Sequence, residues 1–340
     1  MTGRDRTRIG IIGAGEIVSR IHLPVLTNMP DVQIAWICDR DDARAKAVAH
    51  GYGIPFTAFV ADAAALPEAD VVLLGIPYGA RWSYYPALAS RGTALFVEKP
   101  LFRTVERHER TCASWPDHAL GHGFQRRSLG VVRTCRDLIE RGTFGPLRSA
   151  HFGMGAPGVV TRGRYFSTQE LSGGGVLFET GVHGIDALVY MARARDVRVK
   201  RAHMLAEAGL DMHTEAEFEL RTQDGSTVDA TIEISCLRDT SNRIELGFDR
   251  ARLRFSLFDA NGRISLGSAG GGDDLELTPA TPRGYPYTHA QALFAHWNAF
   301  LSGLREGRAN HTAARDSVLT TAIVEQCYAA AGLHGEPGAP

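Results

Sequence analysis

The stretch RIGIIGAGEIVSRIHLPVL, residues 8–26, combines a short apolar run, a glycine turn and a segment with helical character. The turn Gly13-Ala14-Gly15 joins the apolar run to the helix expected from about Glu16 to Leu26. Such a turn lets backbone N–H groups at the helix start face a phosphate-bearing ligand. The third glycine of the usual dinucleotide fingerprint is missing, because position 18 is valine. By itself the turn is therefore a weak signal, and an ordinary strand–helix connection remains an alternative.

The segments around this stretch alternate between apolar runs and helix-prone sequence. The further strands expected here are Gln33–Cys38, Asp70–Gly75, Ala94–Val97 and His118–Phe124. Near-continuous apolar strands separated by helices are typical of a parallel, doubly wound sheet that is buried on both faces. The fold class predicted for residues 1–122 is therefore an α/β Rossmann domain.

After Gly145 the pattern changes to longer strand-like segments separated by turn residues such as Asp224-Gly225. The strands expected here are Leu147–Met154, Val197–Leu205, His213–Arg221, Ser226–Cys236, Ile244–Phe248 and Arg252–Phe258. These turns favour antiparallel pairing. Residues 123–340 are predicted to form an α+β domain on a large, mainly antiparallel open sheet. Two helices, Thr288–Glu306 and Thr312–Ala331, are expected to close the chain.

The composition excludes several classes of protein. The 340 residues carry a formal net charge of −1, which argues against a nucleic-acid-binding or polybasic membrane-surface protein. No apolar run reaches the roughly 18 residues of a membrane span, so we expect a cytoplasmic protein with no membrane partner. The five cysteines are widely spaced and form no CxxC or Cys/His pattern, so neither a disulfide framework nor a bound metal is expected.

The second predicted strand ends at an acidic residue, Asp39, 24 residues beyond Gly15. A carboxylate at this position accepts hydrogen bonds from the ribose hydroxyls of a dinucleotide and repels a 2′-phosphate. NAD is therefore expected in preference to NADP. Arg40 is an opposing signal, because a guanidinium there is able to stack on adenine or bind a phosphate.

Three motifs in order carry a specific resemblance to a known family. They are GAGEIVSRIHLPVL at 13–26, Glu98-Lys99-Pro100, and GGGVLFETGVHGID at 173–186. Together they resemble the Gfo/Idh/MocA oxidoreductases, over nearly the whole chain. The resemblance implies NAD as cofactor and a polyhydroxylated small molecule (a sugar, aminosugar or cyclitol) as substrate. It also implies a homodimer or homotetramer assembled through the open face of the second sheet.

The same resemblance implies three catalytic residues. Lys99 is expected beside the nicotinamide, where it hydrogen-bonds the reacting hydroxyl, and His183 is expected to accept the proton of that hydroxyl. Glu179 stands where the family usually has aspartate, so its role is the least defined. On an α-helix, residues 179, 183 and 186 fall within about 60° of each other and form one polar stripe. From this spacing alone, surface ion pairs are the alternative interpretation.

Further side chains are expected around the cofactor and the substrate. The cofactor-binding set is Gly13, Gly15, Glu16, Ile17, Asp39, Arg40, Ile76, Pro77, Glu98, Lys99 and Gln125. The substrate set is Arg127, Tyr165, Asp186 and Tyr287. For Arg126 and Arg127 a solvated basic turn is an equally good interpretation, and His22 is expected to be packed rather than catalytic.

Lysine is rare in this chain. Only three of the 37 basic residues are lysines, namely Lys46, Lys99 and Lys200. Lys99 falls in a motif that needs a compact ammonium able to share a proton, which arginine does not readily do. Lys46 and Lys200 fall on segments expected at the surface. The bias therefore supports a catalytic Lys99.

The residues leave several functions open. The main prediction is an NAD-dependent dehydrogenase, whereas an NADH-dependent keto-sugar reductase would use the same residues in reverse. An NAD-dependent glycosidase of the same fold would oxidise, eliminate and regenerate its cofactor within each turnover. A non-catalytic dinucleotide sensor is disfavoured by the presence of Lys99 and His183. An aminoglycoside from an antibiotic pathway is suggested only by the arginine-rich chain and the acidic Glu179.

Overall fold

The chain divides into two compact units. This computed structural model describes residues 6–59, 63–158, 168–259, 262–270, 274–277 and 288–333. The first unit comprises the chain up to Leu101, then Glu109–Gly123 and His296–Arg315. The second comprises Phe102–His108, Phe124–Ala295 and the chain from Asp316 onwards. The predicted second domain, residues 123–340, includes His296–Arg315, whereas the structure groups this segment with the first unit.

The first unit is built on a parallel sheet of five strands in the order β2-β1-β3-β4-β5. The strands are β1 (Thr7–Ile12), β2 (Val32–Cys38), β3 (Val71–Leu74), β4 (Ala94–Val97) and β5 (Leu120–His122). Every residue of β3 and β4 is buried, as expected for strands covered on both faces. The predicted Rossmann sheet is confirmed. The strand order reverses around β1, and doubly wound sheets bind their ligands beside such a switch point.

Helices accompany these strands. They are a π-helical turn Val18–His22, α1 (Leu23–Leu26), α2 (Asp42–Tyr52), α3 (Tyr84–Ser90) and α4 (Val105–Cys112), with 3₁₀ turns at Ala63–Ala65 and Tyr78–Ala80. The α2 helix begins after Asp41, whose side chain accepts a hydrogen bond from the Arg44 backbone N–H at 3.1 Å. It ends at Gly53, which adopts the left-handed conformation that glycine tolerates best.

A late segment of the chain completes the core of the first unit. Trp297 is fully buried and stacks on Phe96 of β4, with ring centroids 4.0 Å apart. Phe300 covers Gly121 of β5, where an added Cβ would lie 2.6 Å from its ring. These contacts explain why His296–Arg315 belongs to the first unit, since its aromatic side chains bury the face of β4 and β5.

The second unit contains a sheet of eight strands in the order β13-β12-β11-β10-β6-β9-β8-β7. The strands are β6 (Leu147–Gly155), β7 (Ala194–Glu207), β8 (Leu210–Thr222), β9 (Thr227–Ser235), β10 (Ile244–Phe248), β11 (Ala251–Phe255), β12 (Ile264–Ser268) and β13 (Leu275–Leu277). All neighbouring strands are antiparallel except the parallel pair β6 and β9. The predicted large, mainly antiparallel sheet is confirmed.

Helices precede, separate and follow these strands along the chain. They are α5 (Gly130–Glu140), α6 (Gln169–Ser172), a π-helical turn Leu177–Gly181, α7 (Val182–Ala192), α8 (His289–Glu306) and α9 (Val318–Ala330), with 3₁₀ turns at Gln125–Ser128 and Ala314–Ser317. The α7 helix packs closely on β6, because an added Cβ at Gly184 would lie 2.0 Å from the Phe152 ring. The sheet therefore fixes the helix that carries His183.

The strands β7 to β9 carry charged side chains that face solvent. Lys200 pairs with Asp229 at 2.5 Å, and Arg201 pairs with Glu217 at 2.6 Å. A sheet with one apolar and one polar face is typical of antiparallel architecture. The predicted assembly of two or four copies through this face stays a prediction.

Candidate active site

The glycine turn after β1 has the geometry of a nucleotide-binding turn. Gly13 has a φ of +104°, and an added Cβ would lie 2.4 Å from the Gly75 carbonyl oxygen, so no larger residue fits. An added Cβ at Gly15 would meet no atom within 4 Å. The backbone is therefore confined at the first glycine and open at the second, where the fingerprint brings a pyrophosphate close.

The missing third glycine has a structural explanation. Val18, which replaces it, is fully buried. An added Cβ at Gly75 would lie only 2.4 Å from a methyl group of Val18. Gly75, just after β3, thus provides the room that the fingerprint usually obtains from its third glycine, and close packing of the first helix against the sheet is preserved.

Asp39 directly follows β2 and is hydrogen-bonded to the glycine turn. Its carboxylate accepts hydrogen bonds from the Ala14 N–H at 2.7 Å, the Asp41 N–H at 2.9 Å and the Arg44 guanidinium at 2.7 Å. Burial alone would raise the pKa of Asp39, but these hydrogen bonds and the charge of Arg44 outweigh it and hold the pKa below its ordinary value. The carboxylate therefore fixes the shape of the turn and stays ionised there.

The first turn of the first helix begins at Glu16 and Ile17. Glu16 lies 3.9 Å from Arg20 in an exposed i,i+4 pair, and Ile17 is 37% exposed although it is apolar. An exposed apolar side chain next to Gly15 is consistent with a predicted contact to a bound dinucleotide. Arg40 is also exposed, and its predicted role stays a prediction.

The segment after β3 is held by a buried arginine. Ile76 and Pro77 remain partly exposed there. The Arg81 guanidinium donates hydrogen bonds to the Ile76 carbonyl at 2.9 Å and to the Pro100 carbonyl at 2.5 Å. One side chain therefore connects the chain after β3 with the chain after β4, and both lie at the carboxyl ends of the strands, where doubly wound sheets bind ligands.

Glu98 anchors the backbone of Lys99. Its carboxylate is buried, accepts the Lys99 N–H at 3.0 Å and lies 2.7 Å from His22 Nε2. Trp297 donates its indole N–H to His22 Nδ1 at 3.0 Å, which assigns the histidine proton to Nε2, facing Glu98. Burial would raise the pKa of Glu98, but His22 and the charges of Lys99 and Arg81 hold it below its ordinary value.

This network refines two predictions. His22 is fully buried, which confirms that it is a packed residue. The Glu98 carboxylate lies in the interior of the first unit, and its predicted contact with the cofactor stays a prediction. The partly exposed Lys99 follows at the end of β4. The hydrogen bonds that link Trp297, His22 and Glu98 are not predicted from the sequence, because nothing in the sequence connects Trp297 to a residue 275 positions earlier.

In the second unit, the glycine run Gly173–Gly175 before α7 allows close packing. The Asp211 carboxylate accepts the backbone N–H groups of Gly175 at 2.8 Å and Leu177 at 2.7 Å. An added Cβ at Gly174 would lie 2.4 Å from the Tyr328 hydroxyl oxygen, and the same hydroxyl donates to Asp211. The glycines therefore let the helix start close against a buried carboxylate.

The stripe predicted at 179, 183 and 186 differs from the structure. Leu177–Gly181 forms a π-helical turn, so the regular α-helical spacing assumed for Glu179 is wrong there. Glu179 is partly exposed on this turn, whereas His183 lies in the first turn of α7 and is 7% exposed. The His183 and Phe124 rings pack edge to face, with their centroids 6.3 Å apart.

Arg127 and Asp186, both predicted to bind substrate, bind each other. The guanidinium donates two hydrogen bonds to the carboxylate, at 2.6 and 2.7 Å, and each residue is only 1% exposed. Burial would lower the pKa of Arg127, but the charge of Asp186 raises it above the ordinary value, so the arginine stays charged. The pair joins the 3₁₀ turn at Gln125–Ser128 to α7. The predicted substrate contacts of Arg127 and Asp186 stay predictions.

Two residues of the predicted substrate set are tyrosines. Tyr165 and Tyr287 lie outside the described residues. Gln125 is described, and it opens the 3₁₀ turn that follows Phe124, with its side chain partly buried. Its predicted contact with the cofactor stays a prediction.

Among the described residues, one group has the composition of a metal site. His213, Glu215 and Glu233 bring their ligand atoms within 4.8 Å of one another. The Arg238 guanidinium already donates to Glu215 at 2.9 Å and to Glu233 at 3.0 Å. The two carboxylates are therefore compensated by a cation of the protein itself.

No helix in the described part of the chain is both long and apolar enough to cross a bilayer.

These features define a class of protein. The first unit is a dinucleotide-binding domain, with a parallel sheet, a confined first glycine, an open second glycine and an acidic residue directly after β2. The second unit contains a large, mainly antiparallel sheet. Family models agree with this architecture. Residues 7–118 match an oxidoreductase family with an NAD-binding Rossmann fold, and residues 132–254 match a Gfo/Idh/MocA C-terminal domain. The chain belongs to the Gfo/Idh/MocA oxidoreductase family.

Three curated relatives show the range of named activities. Inositol 2-dehydrogenase 3 of Saccharopolyspora erythraea is 26% identical, over 93% of this chain and 90% of that protein. A dTDP-3,4-didehydro-2,6-dideoxy-alpha-D-glucose 3-reductase of Streptomyces antibioticus is also 26% identical, over 86% and 80%. The D-glucoside 3-dehydrogenase of Escherichia coli is 26% identical over 59% of this chain, and the match spans only 58% of that relative.

Solved structures agree on the fold. An aldose-aldose oxidoreductase from Caulobacter crescentus, complexed with glycerol, superposes with a TM-score of 0.80. The comparison covers 96% of this chain and 98% of that one, at 19% sequence identity. Both units of the chain are therefore shared with that enzyme as a fold.

Proposed function

We propose that this protein is an NAD-dependent dehydrogenase that oxidises a secondary alcohol of a sugar, aminosugar or cyclitol to the ketone. The observation that carries the proposal is the anchored Lys99, which follows a buried Glu98 at the carboxyl end of β4 in an NAD-binding domain. Relatives named as inositol and glucoside dehydrogenases support the substrate class.

Oxidising an alcohol requires a proton acceptor at the hydroxyl and a cation near the oxygen. In the proposed mechanism His183 accepts the hydroxyl proton and Lys99 stabilises the charge that develops on the oxygen. NAD supplies the hydride acceptor when it is bound. The proposal requires both side chains to reach one hydroxyl, and Glu179 assists by orienting the substrate or relaying the proton.

The residues of the binding turn fit this cofactor. Gly15 leaves the backbone open to a pyrophosphate, and Asp39 stays ionised beside the turn, where it favours unmodified ribose hydroxyls over a 2′-phosphate. Arg44 shares the Asp39 carboxylate and is about half exposed, so it weakens this discrimination without removing it. We therefore propose NAD in preference to NADP.

A reductase acting in the reverse direction is the second candidate, because the relative from Streptomyces antibioticus is named a 3-reductase. In that direction Lys99 polarises a ketone and His183 donates the proton. The same assay separates the two directions when NAD with alcohols and NADH with keto-sugars are both supplied. An NAD-dependent glycosidase would instead cleave a glycoside with no net NADH.

The test is turnover measured as NADH absorbance with a panel of sugars, cyclitols and aminoglycosides. Lys99→Ala and His183→Ala are each expected to lower kcat by at least about 100-fold and to leave the Kd for NAD within a few-fold. Lys46→Ala and His50→Ala serve as matched controls, because both side chains are exposed on α2, and they are expected to retain full activity. Full activity in either catalytic variant would contradict the mechanism.

A further inference from the structure

Two adjacent arginines in the turn after Phe124, Arg126 and Arg127, differ in how their charges are compensated. Arg127 is fully matched by the Asp186 carboxylate. Arg126 is nearly as buried, at 7% exposure, yet its Nη1 nitrogen has no hydrogen-bond partner among the described residues. Both residues are arginines on the same 3₁₀ turn, so the difference in hydrogen bonding reflects their separate surroundings.

The surroundings of Arg126 hold its guanidinium in place without compensating its charge. The guanidinium carbon lies 4.3 Å from the centroid of the Phe258 ring, so an aromatic face covers one side. Burial lowers the pKa of Arg126 to about 10, and no acidic side chain of the described chain counteracts this effect. A buried cation without a partner is costly to the folded state, so it is retained where a ligand supplies the missing charge.

The neighbouring side chain adds a second unmatched polar group. The Gln125 side-chain oxygen is buried and also has no hydrogen-bond partner in the part of the chain that the structure describes. That oxygen requires a donor such as a hydroxyl, whereas Arg126 requires an acceptor that carries negative charge. One ligand that satisfies both atoms is a polyhydroxylated molecule that also bears an anionic group.

We propose that Arg126 binds a carboxylate or phosphate group of the substrate, and that Gln125 accepts a hydrogen bond from a neighbouring hydroxyl of the same molecule. This inference rests on the proposed function and narrows its substrate class to sugar acids or phosphorylated sugars. Arginine suits this role because its planar fork pairs with both anions.

The experiment measures binding by calorimetry with the full-length protein saturated with NAD. The probes are D-glucose, D-glucuronate and D-glucose 6-phosphate, together with D-galactose and D-galacturonate. At least one anionic probe is expected to bind about 10- to 100-fold more tightly than its neutral parent, the range of one charge-assisted hydrogen bond. Preference for the acids identifies a carboxylate as the ligand, and preference for the 6-phosphate identifies a phosphate.

The variant Arg126→Met removes the charge and keeps the length, and it is expected to abolish the preference. Arg126→Lys is expected to restore part of it, whereas Arg141→Met, which alters an exposed arginine of the same unit, is expected to leave it unchanged. The proposal is overturned if no anionic probe binds better than its parent, or if the preference survives in Arg126→Met. It is also overturned if Arg126→Met lowers the affinity for NAD instead.

These outcomes separate this inference from the proposed function. Binding is measured without turnover, so an anion preference with no NADH formation supports the anion site and contradicts the dehydrogenase. If neutral sugars yield NADH as efficiently as the anionic probes do, and Arg126→Met does not change this, the anion site is contradicted. The proposed dehydrogenase activity is then still supported. If Arg126→Met does not fold, the wild-type comparison of charged and neutral probes still decides.

Discussion

The buried pair between Arg127 and Asp186 makes a sharp prediction about stability. Asp186→Asn keeps the size of the side chain and removes its charge, so Arg127 loses its paired carboxylate while it remains a cation at 1% exposure. The wild-type pair has two hydrogen bonds of 2.6 and 2.7 Å, with a third from Thr320 to Asp186 at 3.1 Å. Removing one partner of such a pair costs about 3–5 kcal/mol of the free energy of unfolding.

The assay must report on the second unit. All four tryptophans of the chain, Trp36, Trp82, Trp115 and Trp297, belong to the first unit, so their fluorescence does not follow α7. Amide hydrogen exchange over Val182–Ala192 does. Where exchange follows the opening equilibrium, Asp186→Asn is expected to speed it by about 100- to 4,000-fold.

Two further variants test the reasoning. Arg201→Ala breaks a pair with the same 2.6 Å separation, but the Arg201 side chain is 76% exposed, so exchange in its strand is expected to stay unchanged. Replacing both members of the buried pair, with Arg127→Met and Asp186→Leu together, is expected to recover much of the lost protection. If Asp186→Asn changes exchange in α7 by less than about fivefold, the charge is compensated in another way and the reasoning fails.

Two predictions concern the first unit. Gly75→Ala places a Cβ 2.4 Å from Val18 and is expected to weaken NAD binding at least about tenfold in calorimetry. Val18→Gly in the same chain is expected to restore the affinity for NAD. If it does not, the two residues act independently. Asp39 and Glu98 have lowered pKa values in the folded state, so the stability they provide is present above their ordinary values of 3.8 and 4.5 and is lost as pH falls through the folded values. Tryptophan fluorescence is expected to show acid unfolding of this unit below about pH 4, with a shallower dependence in Asp39→Asn and Glu98→Gln, and equal slopes would refute the assignment.

Much of the fold was predictable because it depends on local patterns. The apolar runs that predicted β3 and β4 are strands in which every residue is buried. The span predicted for β10, Ile244–Phe248, is the observed one. The nucleotide turn was equally visible, since it needs glycines at fixed positions of one short segment. Lys46 and Lys200 lie at the surface as expected, the latter paired with Asp229.

The errors occurred where distant segments meet. The regular stripe through Glu179, His183 and Asp186 assumed α-helical spacing, but the close approach of the glycine run to Asp211 is followed by a π-helical turn. Asp186 and Arg127 have suitable chemistry for substrate binding. The sequence does not reveal that each of these charges compensates the other, across 59 positions of sequence.

The sequence by itself determined the class of fold, the NAD-binding turn and the candidate catalytic residues Lys99 and His183, because periodicity and motif spacing are local properties of the chain. Only the tertiary structure decided which charged groups are compensated. It pairs Glu98 with His22 and Arg127 with Asp186, and within the described residues it gives the Arg126 Nη1 nitrogen no hydrogen-bond partner. The physical reason is that the energy of a charge depends on burial and on its partners, and both are properties of the folded chain.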